Sequence, residues 1–98
     1  MATYISLMNW TEKGIAQFKD TVERAEAAKK LAAKFGGTLK EIYWTVGPYD
    51  LVAISELPDE ESATAFSLIL GSLGNVRTTT LRAFSGSGMQ RILAKASG

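Results

Sequence analysis

The chain has 98 residues, of which 46% are hydrophobic and 21% are charged, and its formal net charge is +1. These proportions are typical of one folded domain and exclude an intrinsically disordered chain. The near-neutral charge gives no electrostatic reason to expect nucleic acid or a membrane as a partner. Because the chain contains no Cys and no His, thiolate or imidazole metal sites, His-ligated haem and His-based catalytic triads are excluded.

No segment approaches the roughly 20 consecutive apolar residues that span a bilayer. The first residues, MATYISLM, also lack the basic start and long apolar core of a secretory signal. We therefore expect a cytoplasmic protein. We expect no cofactor and no metal, since the run of acids Asp59–Glu61 is explained by the dipole of the helix that begins there.

The N-terminal third predicts a strand followed by a long helix. Thr3–Asn9 alternates in character and contains β-branched and aromatic side chains, as strands do. Apolar side chains then recur at spacings of three and four, which predicts one helix over Thr11–Phe35 that ends at Gly36. The predicted apolar stripe of this helix consists of Ile15, Phe18, Val22, Ala25 and Ala32.

The middle of the chain predicts a β-hairpin. Thr38–Val46 and Leu51–Leu57 are strand-like runs, and the short Gly-containing segment Gly47–Asp50 between them predicts a turn that makes them antiparallel. Strict alternation in the first run places Leu39 on the face opposite to Ile42. The second run is apolar on both faces over most of its length, which is typical of a central strand.

The remainder predicts a helix over Asp59–Leu73, a Thr-rich strand over Asn75–Phe84, a flexible joint at Ser85–Gly88 and a short helix over Met89–Ala96. The order β-α-β-β-α-β is that of the ferredoxin-like fold, an α+β class. We expect an antiparallel sheet with the first and third strands in its centre and both helices on one face. Residues 1–84 form this domain, and residues 85–98 form the joint and the C-terminal helix.

The face of the sheet without helices is predicted to be apolar whichever alternation holds. Strand one offers either Ile5 and Leu7 or Tyr4 and Met8 to that face. An apolar patch of this size is uncommon on a monomer. A second copy of the chain is the economical cover, which predicts a homodimer, or a higher homo-oligomer, of the dimeric α+β-barrel type.

Three segments resemble one known family. Thr45–Asp59 (TVGPYDLVAISELPD) contains a Gly-x-Tyr-Asp turn, Asn9–Ile15 (NWTEKGI) a strand-to-helix turn, and Gly74–Phe84 (GNVRTTTLRAF) a closing strand. Together they resemble the GYD-domain family, which is named for that turn, over Thr3–Phe84. The resemblance implies a small bacterial or archaeal protein with a ferredoxin-like, dimeric α+β barrel. It implies no established activity.

Five residues are candidate ligand-binding residues, and each also has a structural interpretation. Tyr49 and Asp50 either form the turn or line the rim of a pocket, where Asp50 serves as an anchor or base. Arg77, a charge within a Thr-rich strand, either pairs with Glu56 or makes a subunit-interface contact, or it binds a small anionic or carbonyl-bearing ligand. Trp44 either packs in the core or in an interface, or it lines a cavity of a dimeric barrel.

Three functions compete at this point. The first is a homo-oligomeric small-molecule-binding or structural module without catalysis. The second is a cofactor-free enzyme, monooxygenase- or isomerase-like, in which Asp50 is the base and Arg77 stabilises an enolate near Tyr49 and Trp44; this rests on fold analogy. The third, RNA binding on the open sheet, is disfavoured by the near-neutral charge and the absence of an aromatic RNA-binding signature.

Overall fold

A computed structural model describes the whole chain, Met1–Gly98. Its elements, in chain order, are β1 (Ala2–Trp10), α1 (Glu12–Ala16), a 3-10 turn (Phe18–Asp20), α2 (Thr21–Lys34), β2 (Thr38–Trp44), β3 (Leu51–Leu57), α3 (Glu60–Ser72), β4 (Val76–Ala83) and α4 (Gly86–Ser97). None of these helices has the length and apolar character needed to cross a membrane.

The four strands form one antiparallel sheet in the order β2-β3-β1-β4, so the predicted ferredoxin-like arrangement with β1 and β3 in the centre is confirmed. Helices α2 and α3 cover one face, and the core lies between them and the sheet. Burial along β3 alternates strictly, and its buried residues, which define the covered face, are Leu51, Ala53, Ser55 and Leu57. We call the other side the open face; its apolar residues, paired across the strands, are Ile5, Leu7, Tyr43, Val52, Ile54 and Leu81.

The prediction of one continuous helix over Thr11–Phe35 is wrong, because α1 ends at Ala16 and α2 begins at Thr21. The side chain of Thr11 accepts the N–H of Gly14 at 3.1 Å and caps α1. A Cβ on Gly14 would lie only 2.0 Å from the carbonyl oxygen of Asn75. This close approach packs α1 against the loop before β4, whereas α2 packs on the sheet. The chain therefore changes direction between Ala16 and Thr21.

The predicted apolar stripe is also wrong in its first half. Ile15, Phe18 and Val22 are 48%, 53% and 59% exposed, because the break turns them away from the sheet. The inner side of α2 is formed instead by three alanines, Ala25, Ala28 and Ala32, together with one larger residue, Leu31. Alanine side chains are too short to fill the space between a helix and a sheet that larger residues normally fill.

Strand β2 contains an irregularity that reverses the predicted facing of its first residues. Leu39 pairs with Ser55 while Glu41 pairs with Ile54, so the register shifts around Lys40. An extra residue in one strand of a pair is a β-bulge, and it shifts the alternation of side chains by one. Leu39 therefore lies on the covered face together with Ile42, not opposite to it, and both line the same cavity.

Helix α3 begins as predicted, with Asp59 as its N-cap. The carboxylate of Asp59 accepts the backbone N–H of Ser62 at 2.8 Å. Hydrogen bonding to this N–H stabilises the charged form and lowers the pKa of Asp59 below its ordinary value. Ala63 and Phe66 are the buried residues of the helix.

Helix α4 begins at Gly86, three residues before the predicted start at Met89, so most of the predicted flexible joint is helical. Ser85 is the N-cap and accepts the N–H of Gly88 at 3.1 Å. The helix makes only sparse contacts with the other elements, and most of its residues are exposed. Met89 and Leu93, on its apolar side, are 46% and 48% exposed.

Two glycine substitutions are expected to change stability in opposite directions. Gly14→Ala lowers the free energy of unfolding by about 1–3 kcal/mol or more, because the new Cβ overlaps the Asn75 carbonyl and the backbone must shift. Gly71→Ala, inside α3 with nothing within 4 Å of the added Cβ, raises it by about 0.5–1 kcal/mol. Urea denaturation followed by circular dichroism measures both, and equal effects would contradict the role given to Gly14.

Candidate functional site

Two loops converge on the end of β1 and hold it by hydrogen bonds; we call this cluster of Trp10, Thr11, Asp50, Gly74 and Asn75 the loop junction. The Trp10 N–H donates to Oδ2 of Asp50 at 2.9 Å, across 40 positions in the sequence. The Thr11 N–H donates to the Asn75 carbonyl at 3.1 Å, and the Thr11 hydroxyl donates to the Gly74 carbonyl at 2.5 Å. The end of β1 is therefore bound to both the hairpin turn and the loop before β4.

The Gly-x-Tyr-Asp turn is shaped by its own backbone bonds. The Thr45 N–H donates to the Asp50 carbonyl at 2.9 Å, and the Thr45 hydroxyl donates to the Tyr49 carbonyl at 2.6 Å. Gly47 has a φ of +148°, a conformation that residues with a Cβ rarely adopt. The Asp50 N–H continues the sheet by donating to the Met8 carbonyl at 2.9 Å. The structural interpretation of Asp50 as a backbone acceptor therefore has a direct geometric basis.

Asp50 and Arg77 lie at the same end of the sheet, on either side of β1. Arg77 on β4 pairs directly with Asn9 of β1. Asp50 bonds to the residues that precede and follow Asn9, namely Met8 and Trp10. Arg77 is exposed and belongs to neither of the two ion pairs of the chain.

Of the alternatives for Arg77, the ion pair with Glu56 does not form within the chain. Glu56 pairs across the sheet with Thr3, at the end of β1 opposite to Asn9, so the two side chains are separated along the strands. The partner of Glu56 is Lys40, whose Nζ lies 2.9 Å from Oε1. The bulge in β2 accounts for this pairing, because Lys40 is the residue around which the register shifts.

Trp44 and Tyr49 do not join the other candidates in a common pocket. Trp44 pairs with the buried residue Leu51 and so belongs to the covered face, away from Arg77. Its indole N–H donates to Oγ1 of Thr21 at 2.9 Å, which ties β2 to the start of α2. Tyr49 is half-buried, and its carbonyl closes the turn.

An apolar cavity lies where no site was expected from the sequence, between the covered face and helices α2 and α3. This helix–sheet cleft has a volume of about 150 Å³, and 14 of its 19 lining residues are hydrophobic. Leu51 and Ala53 line it from the sheet, Ala28 from α2 and Phe66 from α3. Arg24 is the one charged residue in the lining. The sequence does carry a signal for this cavity, namely the alanines on the inner side of α2. The predicted apolar stripe, which included Ile15, Phe18 and Val22, placed large side chains there instead.

Chemical groups for metal binding are sparse. The structure contains no group of three or more acidic, His or Cys side chains close enough to hold a metal ion.

On the open face, the Tyr43 hydroxyl donates to Glu41 at 3.0 Å. This hydrogen bond and the negative charge of Glu41 raise the pKa of Tyr43 above its ordinary value.

The sequence of residues 4–93 matches the model of the GYD domain family. The chain belongs to the GYD-domain family. The match includes all three segments of the loop junction and most of α4. The resemblance inferred from the motifs is thereby confirmed.

A Thermus thermophilus relative is named "Glutamine synthetase and cystathionine beta-lyase binding protein"; it is 34% identical over 84 residues, which cover 85% of this chain and 88% of that protein. The crystal structure of TTHA0845, also from Thermus thermophilus, has 31% identity and a TM-score of 0.57, covering 88% of this chain and 96% of that one. The crystal structure of FFRP-DM1, at 21% identity, has a TM-score of 0.64 over 86% of this chain and 100% of that one, and shows the fold alone.

Replacement of Asp50 is expected to destabilise this GYD domain. Asp50→Ala lowers the free energy of unfolding by about 1.5–3 kcal/mol, because the partly buried Trp10 N–H loses a charged acceptor. Asp50→Asn has a smaller effect, since its amide oxygen still accepts. Arg77→Ala serves as the control and changes stability by less than about 0.5 kcal/mol, because Arg77 is exposed and forms no ion pair. Urea denaturation distinguishes the three, and a larger loss for Arg77→Ala would contradict this assignment.

Proposed function

We propose that this chain is a homo-oligomeric binding module in which a second copy covers the open face. The observation that carries the proposal is the row of apolar side chains on that face, which no element of the chain covers. Ile5 pairs with Ile54 on one side and with Leu81 on the other, so the apolar side chains are contiguous across three strands. Leu81 is 45% exposed.

The polar groups of the open face lie around its apolar centre. The Lys40–Glu56 ion pair lies near one end of β1, and Asn9 and Arg77 lie near the other. An apolar centre with a polar rim is the usual anatomy of a protein–protein interface. Closed two-fold dimers are the commonest oligomers, and such an assembly buries the same face of both copies. This supports self-association through the sheet.

The relative from Thermus thermophilus supports a wider role in binding proteins. Its name states that it binds two enzymes, glutamine synthetase and cystathionine beta-lyase. We infer that this chain likewise binds other proteins, with the assembled module presenting its helices outward. The exposed side chains of Ile15, Phe18 and Val22 provide apolar contact area on that outer surface.

No specific observation favours the alternative of a cofactor-free enzyme. The base that it requires, Asp50, already accepts a backbone N–H in the loop junction. Trp44, which was to line the same site, belongs to the opposite face of the sheet from Arg77. The candidate residues of the enzyme therefore lack a shared pocket.

A lysine in the centre of the open face is expected to dissociate the oligomer. The unmodified chain should have a mass in solution of at least twice 10.6 kDa. Ile54→Lys should give a folded monomer, because burying an unpaired ammonium in an apolar interface costs several kcal/mol. Light scattering coupled to size-exclusion chromatography measures the mass, and circular dichroism confirms folding.

The matched control is Val46→Lys, because Val46 is fully exposed in the hairpin turn and lies outside the face. This variant should keep the mass of the unmodified chain. A monomeric unmodified chain at micromolar concentration would refute self-association.

Binding to other proteins is tested separately, with purified glutamine synthetase and cystathionine beta-lyase passed over the immobilised chain. Failure of both enzymes to bind would remove the support drawn from the relative.

A further inference from the structure

The geometry points to the helix–sheet cleft as a binding site for a small carboxylate that carries one apolar ring, of the size of phenylacetate. This inference goes beyond the proposed self-association, because one chain alone forms the cleft. The cleft lies on the covered face, while self-association is assigned to the open face. The two sites are therefore separate surfaces of the same sheet.

The cleft exists because α2 places small residues over an apolar sheet. Ala25 and Ala28 line it from the helix, and Ala53 lies on the sheet side. Val22, a larger side chain of the same helix, is exposed and does not fill it, so Leu31 is the one large apolar side chain that α2 contributes to the lining. Protein interiors normally contain few voids larger than a water molecule, so an apolar cavity of about 150 Å³ is a distinctive feature of this core.

The volume and lining select the apolar part of the ligand. A cavity of roughly 150 Å³ lined by aliphatic and aromatic side chains stays dry and accepts a ring of the size of benzene. Here Leu51, Phe66 and Leu70 supply such a lining. A single six-membered ring fits, whereas a fused ring system exceeds the space.

Arg24 selects a negative charge at the edge of the cleft. Its Nη2 donates to the Gly14 carbonyl at 3.1 Å and to the Gln17 carbonyl at 3.2 Å, which holds the guanidinium in place. Nε and Nη1 take no part in these bonds and remain for a ligand. The lining contains no Asp or Glu, so nothing within the cleft neutralises Arg24. A planar guanidinium matches the two oxygens of a carboxylate.

Two further polar residues, Thr21 and Asn75, line the cleft together with Arg24. Thr21 lines the cleft, and its hydroxyl accepts the Trp44 indole N–H, so its own proton is available to donate. Asn75 lines the cleft next to β4, and its carbonyl accepts the Thr11 N–H. Arg24 and Thr21 beside apolar walls fit a ligand with an anionic head and an apolar body.

The test is isothermal titration of the full chain with phenylacetate, phenylacetamide and acetate. We expect phenylacetate to bind with a Kd below about 1 mM, within the range that ligands of this size reach. Phenylacetamide should bind at least about tenfold more weakly, because it lacks the charge that Arg24 recognises. Acetate should show no measurable binding. No heat with phenylacetate, or equal affinity for the acid and the amide, would overturn the inference.

Two pairs of variants locate the site. Ala28→Leu fills the cleft and should abolish phenylacetate binding, while Ala33→Leu, the same change at an exposed position of α2 outside the cleft, should leave it unchanged. Arg24→Gln should remove the preference for the acid over the amide, and Arg24→Lys should retain part of it. Because that preference is a ratio, it stays interpretable if either change at Arg24 lowers stability. Unchanged binding in Ala28→Leu would contradict the assignment.

The Ile54→Lys variant separates this inference from the proposed self-association. If the cleft alone holds the ligand, the monomeric variant should bind phenylacetate with the affinity of the unmodified chain. Loss of binding on dissociation would overturn the assignment to a site within one chain. Binding to an unmodified chain that proves to be monomeric would support the cleft and refute self-association.

Discussion

The hydrogen bond from the Trp10 N–H to the carboxylate of Asp50 fixes the end of β1 against the hairpin turn. It joins the hairpin turn to the last residue of β1, and the next residue, Thr11, caps α1 and binds the loop before β4. The three segments that carry the family resemblance, Asn9–Ile15, Thr45–Asp59 and Gly74–Phe84, therefore meet in one place. The hydrogen bonds and helix cap of the loop junction account for several of their residue types without reference to a function.

The strand order was predictable because it depends on local signals. Adjacent residues define both turns, the N-cap at Asp59 and the apolar run of β3. Each of these features is present in the structure. The break before Thr21 depends instead on Gly14 meeting Asn75, a contact between residues 61 positions apart that periodicity cannot reveal. A long helix was the natural prediction, since the apolar spacing continues across the break.

The candidate site was predicted less well than the fold, again for a physical reason. The pairing of Arg77 with Glu56 was inferred from charge alone, but antiparallel register places the two at opposite ends of the sheet. The bulge in β2 reversed the facing of Leu39 and gave Glu56 a different partner, Lys40. The cavity beside Arg24 exists because α2 contributes mainly alanines to its inner side, with Leu31 as the one large apolar residue, and a pattern of apolar residues does not distinguish alanine from leucine.

The sparse contacts of α4 make its twelve residues a separate cooperative unit. An isolated helix of this length is only marginally stable in water, so its opening free energy is close to zero on its own. Amide hydrogen exchange is therefore expected to show less protection in α4 than in the central strands β1 and β3. Protection of α4 should rise when another surface packs against it.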